Sequence, residues 1–137
     1  MILISPALET DLAEIQRLAS SFDLDCEDIG WKQFQVCRSN NKIIGFGRLR
    51  QHPDCTEVAT IGVDKEERGK GIGSAVVKEL IRIGPPEIYL TCVIPDFFSR
   101  FGFIPVKQYP PVLRKKVDFC KLYHFTEEQI FVMKLIK

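Results

Sequence analysis

The densest group of residues with chemical potential is a glycine-rich segment, RGKGIG, at positions 68–73. Glycine costs a helix or strand about 0.5–1 kcal/mol relative to alanine, so such a cluster indicates backbone that turns sharply or lies close to a ligand. The segment runs into the helical pattern GSAVVKELIRIG, and the free N–H groups and dipole at a helix N-terminus favour an anion. Arg68 and Lys70 add positive charge. We therefore predict a phosphate-binding loop.

Two common nucleotide-binding loops do not fit this spacing. A Walker loop requires GxxxxGK followed by Ser or Thr, whereas Lys70 stands between glycines and Ser74 follows a third one. The dinucleotide fingerprint GxGxxG requires glycine where Ser74 stands, and its helix follows the first strand of a βαβ unit. The pattern that remains is RxxGxG, with Arg68, Gly71 and Gly73 at its fixed positions.

The elements around this loop follow from hydrophobic periodicity and turn residues. Before the loop we predict a helix in LETDLAEIQRLASSF capped near Glu9 or Thr10, a hairpin of WKQFQVCR and KIIGFGRLRQ turning at Asn40 and Asn41, and a strand TEVATIGV. After the loop helix we predict a strand EIYLTCV, a short helix in PDFFSRFGF, a brief strand IPVKQ, a helix that opens at PPVL and a last strand QIFVMKLIK.

Composition predicts a single globular domain over residues 1–137, with 45% hydrophobic and 27% charged residues. The formal net charge of +1 gives no indication that the protein binds nucleic acid or an anionic membrane surface. No stretch approaches the roughly 18 apolar residues of a membrane span and no targeting pattern opens the sequence, so we expect a cytoplasmic protein. Five scattered cysteines without a CxxC pair argue against disulfides and zinc, and we expect no metal.

The stretch TEVATIGVDKEERGKGIGSAVVKEL resembles the fourth strand, pyrophosphate loop and third helix of the GNAT superfamily of acyl-CoA-dependent N-acetyltransferases. The order of the other elements agrees with that family across nearly the whole chain. The resemblance implies an α/β (α+β) fold, with a central, mixed, mostly antiparallel, twisted sheet of six to seven strands flanked by about four to five helices. It also implies acetyl-CoA as the cosubstrate and a primary amine as the acceptor.

The resemblance assigns roles to two stretches of backbone. In the family, loop amides bind the CoA pyrophosphate, and the fourth strand bulges to hydrogen-bond the pantetheine. Gly62 stands where the bulge would fall, and an amide near Ile61 or Gly62 would polarise the thioester carbonyl. The implied CoA-binding residues are Ile61, Gly62, Val63, Arg68, Gly69, Lys70, Gly71, Ile72, Gly73 and Ser74.

Glu57 is the candidate catalytic residue, as a general base that deprotonates the amine through water. It lies eleven positions before Arg68, which is the spacing at which the family's catalytic glutamate is found. Strand alternation would put its side chain on the same side as those of Ala59, Ile61 and Val63. A glutamate at the start of a strand is also commonly a solvated charge. His52 and His124 lie near turns, and we expect both at the surface.

The usual general acid of the family is a tyrosine in a pattern like FYxxxGF, and Phe98 occupies its place in FFSRFGF. The hydroxyls of Tyr89, Tyr109 or Tyr123 are alternatives, and a CoA thiolate with an ordinary pKa of about 8.5 can also leave unaided. Cys92 is expected to be a buried, inert thiol.

The C-terminal half resembles the N-acetylglutamate-synthase-like branch, with Thr91 and Cys92 where two threonines are usual. This resemblance implies the α-amino group of a small amino acid, whose carboxylate an arginine would hold. Two other functions stay open, a protein lysine or N-terminal acetyltransferase and a non-catalytic CoA-binding regulatory module. Assembly into a homodimer is also left open. The arginines weighed for the carboxylate, none of them assigned, are Arg48, Arg50, Arg100 and Arg114.

Overall fold

The computed structural model describes residues 2–137, in which seven strands form one mixed sheet in the order β1-β2-β3-β4-β5-β7-β6. The strands are β1 (Ile4–Pro6), β2 (Phe34–Ser39), β3 (Lys42–Gln51), β4 (Thr56–Val63), β5 (Glu87–Cys92), β6 (Ile104–Pro105) and β7 (Phe131–Ile136). The helices are α1 (Leu12–Ser21), α2 (Ile72–Ile83), α3 (Pro95–Ser99) and α4 (Arg114–Lys121). The predicted fold class is thereby confirmed.

The chain divides into two compact units. The first consists of the chain up to Arg50 together with Val58–Ile83, and the second of Gln51–Glu57 together with Gly84–Lys137. That the whole chain acts as one domain stays a prediction. Within residues 2–137, no helix combines the length and the hydrophobicity needed to cross a bilayer.

The predicted hairpin of β2 and β3 is present in the first unit. Ser39 pairs with Lys42, and the two residues between them, Asn40 and Asn41, have φ values of 51° and 66°. Positive φ at both central residues is the signature of a type I′ turn, whose twist matches that of the strands, and asparagine tolerates this conformation well. The first predicted strand residues instead form a 3-10 turn, Trp31–Gln33, so β2 begins at Phe34.

Helix α1 buries the predicted apolar face in the first unit. Ile15, Leu18 and Ala19 are buried together with the β2 and β3 side chains Phe34 and Phe46, whose rings meet edge to face at 6.2 Å. Burying each large apolar side chain of this kind contributes about 1.5–3 kcal/mol. The stripe of apolar positions therefore determines which side of the helix faces the sheet.

The start of α1 differs from the predicted cap near Glu9 or Thr10. Glu9–Asp11 forms a 3-10 turn, and Asp11 Oδ2 accepts a hydrogen bond from the Leu8 N–H at 2.6 Å. Arg38 Nη1 donates to Asp11 Oδ1 at 2.8 Å, and Arg38 Nη2 also contacts Oδ2. Asp11 thus joins the helix entry to β2, which a purely local capping pattern does not reveal.

A buried arginine on β3 organises the polar interior of the first unit. Arg48 is fully buried, and its Nε–H donates to Thr60 Oγ1 at 2.8 Å. Its terminal nitrogens donate to the loop before β2, at Glu27 O (3.0 Å), Gln33 Oε1 (3.0 Å) and Asp25 O (3.2 Å). Because a buried guanidinium needs partners for its donors, Arg48 is committed to the fold.

The second unit is built on β5 and β7, which pair antiparallel, with Glu87 opposite Ile136 and Cys92 opposite Phe131. The two-residue strand β6 pairs with β7. Helix α4 and the turn before it bury a short apolar face against this sheet. The resulting cluster consists of Tyr89, Leu113, Val117 and Val132.

Candidate active site

The glycine-rich segment connects β4 to α2 through a capped turn. Lys65–Glu67 forms one 3-10 turn, and α2 begins at Ile72. The Asp64 side chain accepts a hydrogen bond from the Glu66 N–H at 3.1 Å, and the Asp64 N–H donates to Ile44 O at 2.9 Å. These bonds hold the segment at the end of β4, where the pattern predicted it.

Two glycines of this loop have backbone conformations that other residues rarely adopt. Gly69 has φ 83° and Gly71 has φ 85°, both in the left-handed region. A Cβ atom added at Gly69 would meet nothing within 4 Å, and one at Gly71 would meet only Ile2 Cδ1 at 3.9 Å. The glycines are therefore required by the conformation of the turn, and neighbouring atoms leave open space on the side where a Cβ atom would stand.

The basic side chains of the loop make contacts within the first unit. Arg68 Nε donates to Val63 O at 3.1 Å, and its guanidinium lies over the Phe22 ring, 5.1 Å from the centroid. Lys70 pairs with Glu67 at 2.8 Å. Both cations are exposed, so they supply positive charge at the surface of the loop rather than a buried anion site.

The start of α2 contributes backbone rather than side chains. Ile72 is buried, and its Cγ2 lies 2.4 Å from the Cβ position of Gly45, which only glycine leaves free. Gly73 and Ser74 are half-buried, and the helix ladder opens with the Ala75 N–H donating to Gly71 O at 3.0 Å. The N–H groups before Ala75 are those that a helix start leaves without an intrahelical partner.

Strand β4 carries its irregular backbone at Thr60 and not at the expected Gly62. Thr60 has φ 56°, a strained value for a β-branched residue, and its Oγ1 donates to Asp25 O at 2.8 Å while accepting from Arg48. Gly62 serves packing, because a Cβ there would lie 2.4 Å from the Phe46 ring. Side-chain alternation from Glu57 to Ile61 is therefore not that of a regular strand.

Glu57 is buried in the second unit, with 2% of its surface exposed. Its Oε1 lies 2.8 Å from His52 Nε2, and its Oε2 lies 3.6 Å from Lys116 Nζ on α4. Within residues 2–137, Glu57 Oε2 has no hydrogen-bond partner. A solvated charge is thus the wrong interpretation, and the carboxylate has one oxygen able to accept a proton or a hydrogen bond.

Sequence reasoning missed both partners of Glu57. His52 was expected at the surface and is instead 8% exposed, whereas His124 is exposed as predicted. His52 could have been recognised because it faces Glu57 across the short turn between two predicted strands. Lys116 has no such signal, since it lies on a helix far along the chain and α4 must fold onto the sheet before the contact exists.

The pKa of a neighbouring thiol, Cys55, responds to the charge of Glu57. Burial, and then the negative charge of Glu57, raise the pKa of Cys55 to about 11, with smaller contributions from Asp54 and Glu87. Cys55 therefore stays a neutral thiol near pH 7 and does not compete with Glu57 for a proton.

Strand β5 adds two hydroxyls on the same face. Tyr89 is the register partner of Glu57 across the parallel pairing of β4 and β5, so the two side chains share one face of the sheet. Thr91 follows two residues later, opposite Val132, and its buried Oγ1 has no hydrogen-bond partner among residues 2–137. This face of β4 and β5 thus presents two buried oxygen atoms, Glu57 Oε2 and Thr91 Oγ1, with unused hydrogen-bonding capacity.

In the segment after β5, the residue at the position of the expected general acid is Phe98, which has no hydroxyl. Phe98 is buried among other phenylalanines, 5.0 Å from the Phe97 ring and 6.2 Å from the Phe103 ring. Cys92 is buried against Met133, and burial raises the pKa of its thiol to about 11. Cys92 is thus buried as expected, and its lack of reactivity stays a prediction.

The arginines weighed for carboxylate binding all have protein partners. Arg48 is fully buried, and Arg50 lies close to the acidic loop at Asp25 and Asp28. Arg100 lies over the Phe97 ring at 5.0 Å. Arg114 likewise pairs with Glu127 and Asp118.

Comparison with known sequences finds acetyltransferases. The sequence model described as "Acetyltransferase (GNAT) family" matches residues 6–103. The amino-acid acetyltransferase of Mycobacterium tuberculosis (strain ATCC 25618 / H37Rv) is 25% identical over 101 residues, which cover 70% of this chain and 58% of that protein. The chain therefore matches less than two thirds of the length of this relative.

Solved structures share the fold. N-acetylglutamate synthase from Neisseria gonorrhoeae, complexed with coenzyme A and N-acetyl-glutamate, superposes with a TM-score of 0.79 at 16% identity, over 99% of this chain and 35% of that chain. Rv2747 from Mycobacterium tuberculosis, in complex with CoA, gives 0.76 at 20% identity over 98% and 99%. The ribosomal-protein-S18-alanine N-acetyltransferase from Escherichia coli gives 0.67 at 17% identity over 99% and 94%.

Proposed function

The chain belongs to the Acetyltransferase (GNAT) family, and on that premise we propose that it transfers the acetyl group of acetyl-CoA to the α-amino group of a small amino acid or similar metabolite. The similarity to an amino-acid acetyltransferase supports this substrate class. The observation that carries the proposal is the buried Glu57 carboxylate, whose Oε2 accepts no hydrogen bond from residues 2–137. An amine, directly or through water, supplies the donor that this oxygen lacks.

Acetyl-CoA binds through backbone in this proposal. The N–H groups from Gly69 to Ser74 hold the pyrophosphate, and the open faces of Gly69 and Gly71 support that role. Arg68 and Lys70 add electrostatic attraction. The backbone of Ile61–Val63 runs beside the pantetheine, and an N–H near Ile61 or Gly62 polarises the thioester carbonyl.

The chemistry is direct attack within a ternary complex. The substrate ammonium first gives a proton to Glu57, because only the neutral amine has a lone pair. The nitrogen then attacks the thioester carbon, so that a C–N bond forms, the C–S bond breaks and CoA leaves as a thiolate. After loss of the second amine proton and protonation of the thiolate, the net products are the N-acetyl compound, CoA thiol and one proton.

The leaving thiolate takes its proton from water. Phe98 has no hydroxyl and is packed among other rings, which supports a mechanism without the usual tyrosine acid. An ordinary thiol has a pKa of about 8.5, so a thiolate is an acceptable leaving group near neutral pH.

A cytoplasmic location is also part of the proposal. All five cysteines are free thiols, and thiols persist in compartments kept reducing.

A substrate panel tests the function. The purified protein is incubated with acetyl-CoA and single amino acids, a peptide with a free N-terminus and an N-terminally blocked peptide containing lysine, and products are identified by mass spectrometry. We expect an N-acetyl amino acid and an equal amount of CoA. Acetylation of peptides alone would support a protein acetyltransferase, and CoA binding without transfer to any amine would support a regulatory module.

A pair of glycine variants tests the loop. Gly71→Val should abolish detectable CoA binding in calorimetry, because it combines a positive φ with a branched side chain in front of the amides. Gly30→Val is the matched control, since Gly30 has φ −146° and a Cβ there meets nothing within 4 Å. Circular dichroism verifies that both variants fold, and wild-type CoA affinity in a folded Gly71→Val would disprove the loop assignment.

A further inference from the structure

His52 is buried in a turn whose next two residues are exposed. Pro53 and Asp54 face solvent, whereas His52 keeps 8% of its surface exposed. Burying an imidazole removes its hydrogen bonds to water, and the bond to Glu57 Oε1 at 2.8 Å replaces one of them. The turn therefore directs this ring to the carboxylate rather than to solvent.

The backbone that carries His52 is held from several sides. The His52 N–H donates to Cys55 O at 2.8 Å, which closes the turn. Gln51 Nε2 donates to His52 O at 2.9 Å, and Gln51 Oε1 accepts from Thr56 Oγ1 at 2.6 Å. A side chain on a braced turn loses little further entropy when it makes a directed hydrogen bond, so the contact with Glu57 is preorganised.

We propose that His52 is the positioning residue of the general base, an imidazole that donates its Nε2–H to Glu57 Oε1 and keeps Oε2 turned toward the proton of the substrate amine. The inference rests on the proposed function of Glu57 as the base. An ionised carboxylate only accepts hydrogen bonds, so this contact requires the ring proton on Nε2 and fixes the tautomer.

Lys116 explains why a positioning group is needed. Its ammonium lies 3.6 Å from Oε2, close enough to attract the carboxylate, although Oε2 accepts no hydrogen bond from it. If the hydrogen bond to Oε1 is lost, the carboxylate can rotate and pair with Lys116 through both oxygens, because the local attraction between opposite charges is strong when both are shielded from water. His52 opposes that rotation.

The other groups around Glu57 do not duplicate this role. Tyr89, its partner on β5, packs its ring in the apolar cluster with Val117, and Lys134 Nζ lies 5.5 Å from the centroid of that ring. Cys55 is a neutral thiol and a weak donor. His52 is thus the group that holds Oε1.

Variants of His52 distinguish a side chain that orients the Glu57 carboxylate from one that only fills space in the interior. His52→Ala should lower kcat about tenfold, the rate equivalent of losing one hydrogen bond to a charged group, with little change in the acetyl-CoA Kd. His52→Gln places an N–H donor at similar reach and should restore most of the rate. His124→Asn is the control, because His124 is exposed, has φ 70° and an asparagine tolerates that backbone. Unchanged kcat in a folded His52→Ala would overturn the proposal, as would equal losses in His52→Ala and His52→Gln.

The tautomer of His52 provides a readout that needs neither turnover nor a folded variant of His52. Long-range 1H–15N spectra of the wild-type protein at alkaline pH distinguish the two tautomers, and His124→Asn identifies the His52 signals because the chain has two histidines. We expect a single Nε2–H tautomer. A ring protonated on Nδ1, or a mixture of the two forms, would overturn the proposal even if His52→Ala does not fold.

The double variant distinguishes failure of this inference from failure of the proposed function. If His52 acts only through Glu57, His52→Ala combined with Glu57→Gln should be no slower than Glu57→Gln alone. Additive losses would overturn the inference while leaving the acetyltransferase function intact. A wild-type protein that acetylates no amine would disprove the proposed function, and the tautomer would still decide whether His52 donates to Glu57.

Discussion

Two of the buried carboxylates, Asp11 in the first compact unit and Glu57 in the second, have opposite hydrogen-bonding states. Asp11 is 8% exposed and Glu57 is 2% exposed. Both oxygens of Asp11 are bonded, to the Leu8 N–H and to the guanidinium of Arg38, and the hydrogen bond from Arg38 lowers the pKa of Asp11 below its ordinary 3.8. Glu57 has His52 on one oxygen and no hydrogen bond to the other from residues 2–137.

This difference in hydrogen bonding is the one expected between a carboxylate that stabilises the fold and a carboxylate that binds or deprotonates a ligand. A buried carboxylate whose oxygens are both bonded is stabilised in its ionised form and offers a ligand no unbonded oxygen. A buried carboxylate with an unused oxygen costs stability unless something else donates to it, and a substrate is one such donor. Burial alone therefore does not distinguish the two carboxylates, whereas the number of hydrogen-bonded oxygens does, and this difference supports the proposed role of Glu57 as the base.

Replacing Glu57 with glutamine should give the largest effect. We expect Glu57→Gln to keep the acetyl-CoA affinity and to lower kcat about a hundredfold near neutral pH, because the side chain keeps its size and loses its basicity. The deficit should shrink as pH rises toward the pKa of the acceptor amine, since more substrate then arrives deprotonated. A pH–rate profile of both proteins is the measurement.

If the loss of kcat in Glu57→Gln stays constant across the alkaline pH range, Glu57 does not act as the base. The proposed functional difference between Glu57 and Asp11 would then be wrong. The same result would follow from equal turnover at pH 7. In either case Glu57 would be a structural charge like Asp11, and its unused oxygen would need another explanation.

The equivalent change at Asp11 should affect stability and not turnover. Asp11→Asn replaces one accepting oxygen by an NH2 group that faces donors, so we expect a loss of about 2 kcal/mol in the free energy of unfolding at pH 7. Because the folded-state pKa of Asp11 lies below its unfolded value of 3.8, the carboxylate stabilises the fold fully above that pH and loses this contribution as pH falls through the lower folded value.

Urea unfolding of the wild type and Asp11→Asn from pH 7 to pH 3 measures this effect. The gap between the two proteins should stay constant down to about pH 5 and narrow below pH 4, while kcat stays at the wild-type value. A gap that widens on acidification would show that the hydrogen bonds of Asp11 do not favour its ionised form.

The smallest expected effect is on the pKa of Cys55, the thiol close to Glu57. This pKa depends on the charge of Glu57 and therefore tests whether Glu57 is ionised, as Asp11 is. Glu57→Gln should lower the pKa of Cys55 from about 11, yet leave it above the ordinary 9.0 because burial is the larger cause. Cys92 is the internal control, since burial raises its pKa to about 11 without a contribution from Glu57. Alkylation rates against pH, resolved by peptide mass spectrometry, test this, and no change at Cys55 would mean that Glu57 carries no charge there.

Most of the fold follows from local sequence patterns. The hairpin turn at Asn40 and Asn41, the bounds of β3 and β4 and the buried face of α1 all agree with prediction, because turn chemistry and apolar periodicity act over a few residues. Errors occur where a long-range contact overrides the local signal. Thr60 adopts a positive φ within the Arg48 network, although Gly62 is the residue with the conformational freedom.

The shape of the loop proposed to bind phosphate follows from the sequence alone, because the positive φ of Gly69 and Gly71 and the free amides of a helix start are properties of consecutive residues. It also indicated Glu57 as a candidate base. Only the tertiary structure decided the state of that carboxylate, since burial requires the α4 face to pack on β5, and its two partners come from a turn and from a distant helix. Hydrogen-bond satisfaction depends on which groups folding brings within about 3 Å. The short turn between β3 and β4 indicates His52 as a neighbour of Glu57, whereas no spacing along the chain indicates Lys116.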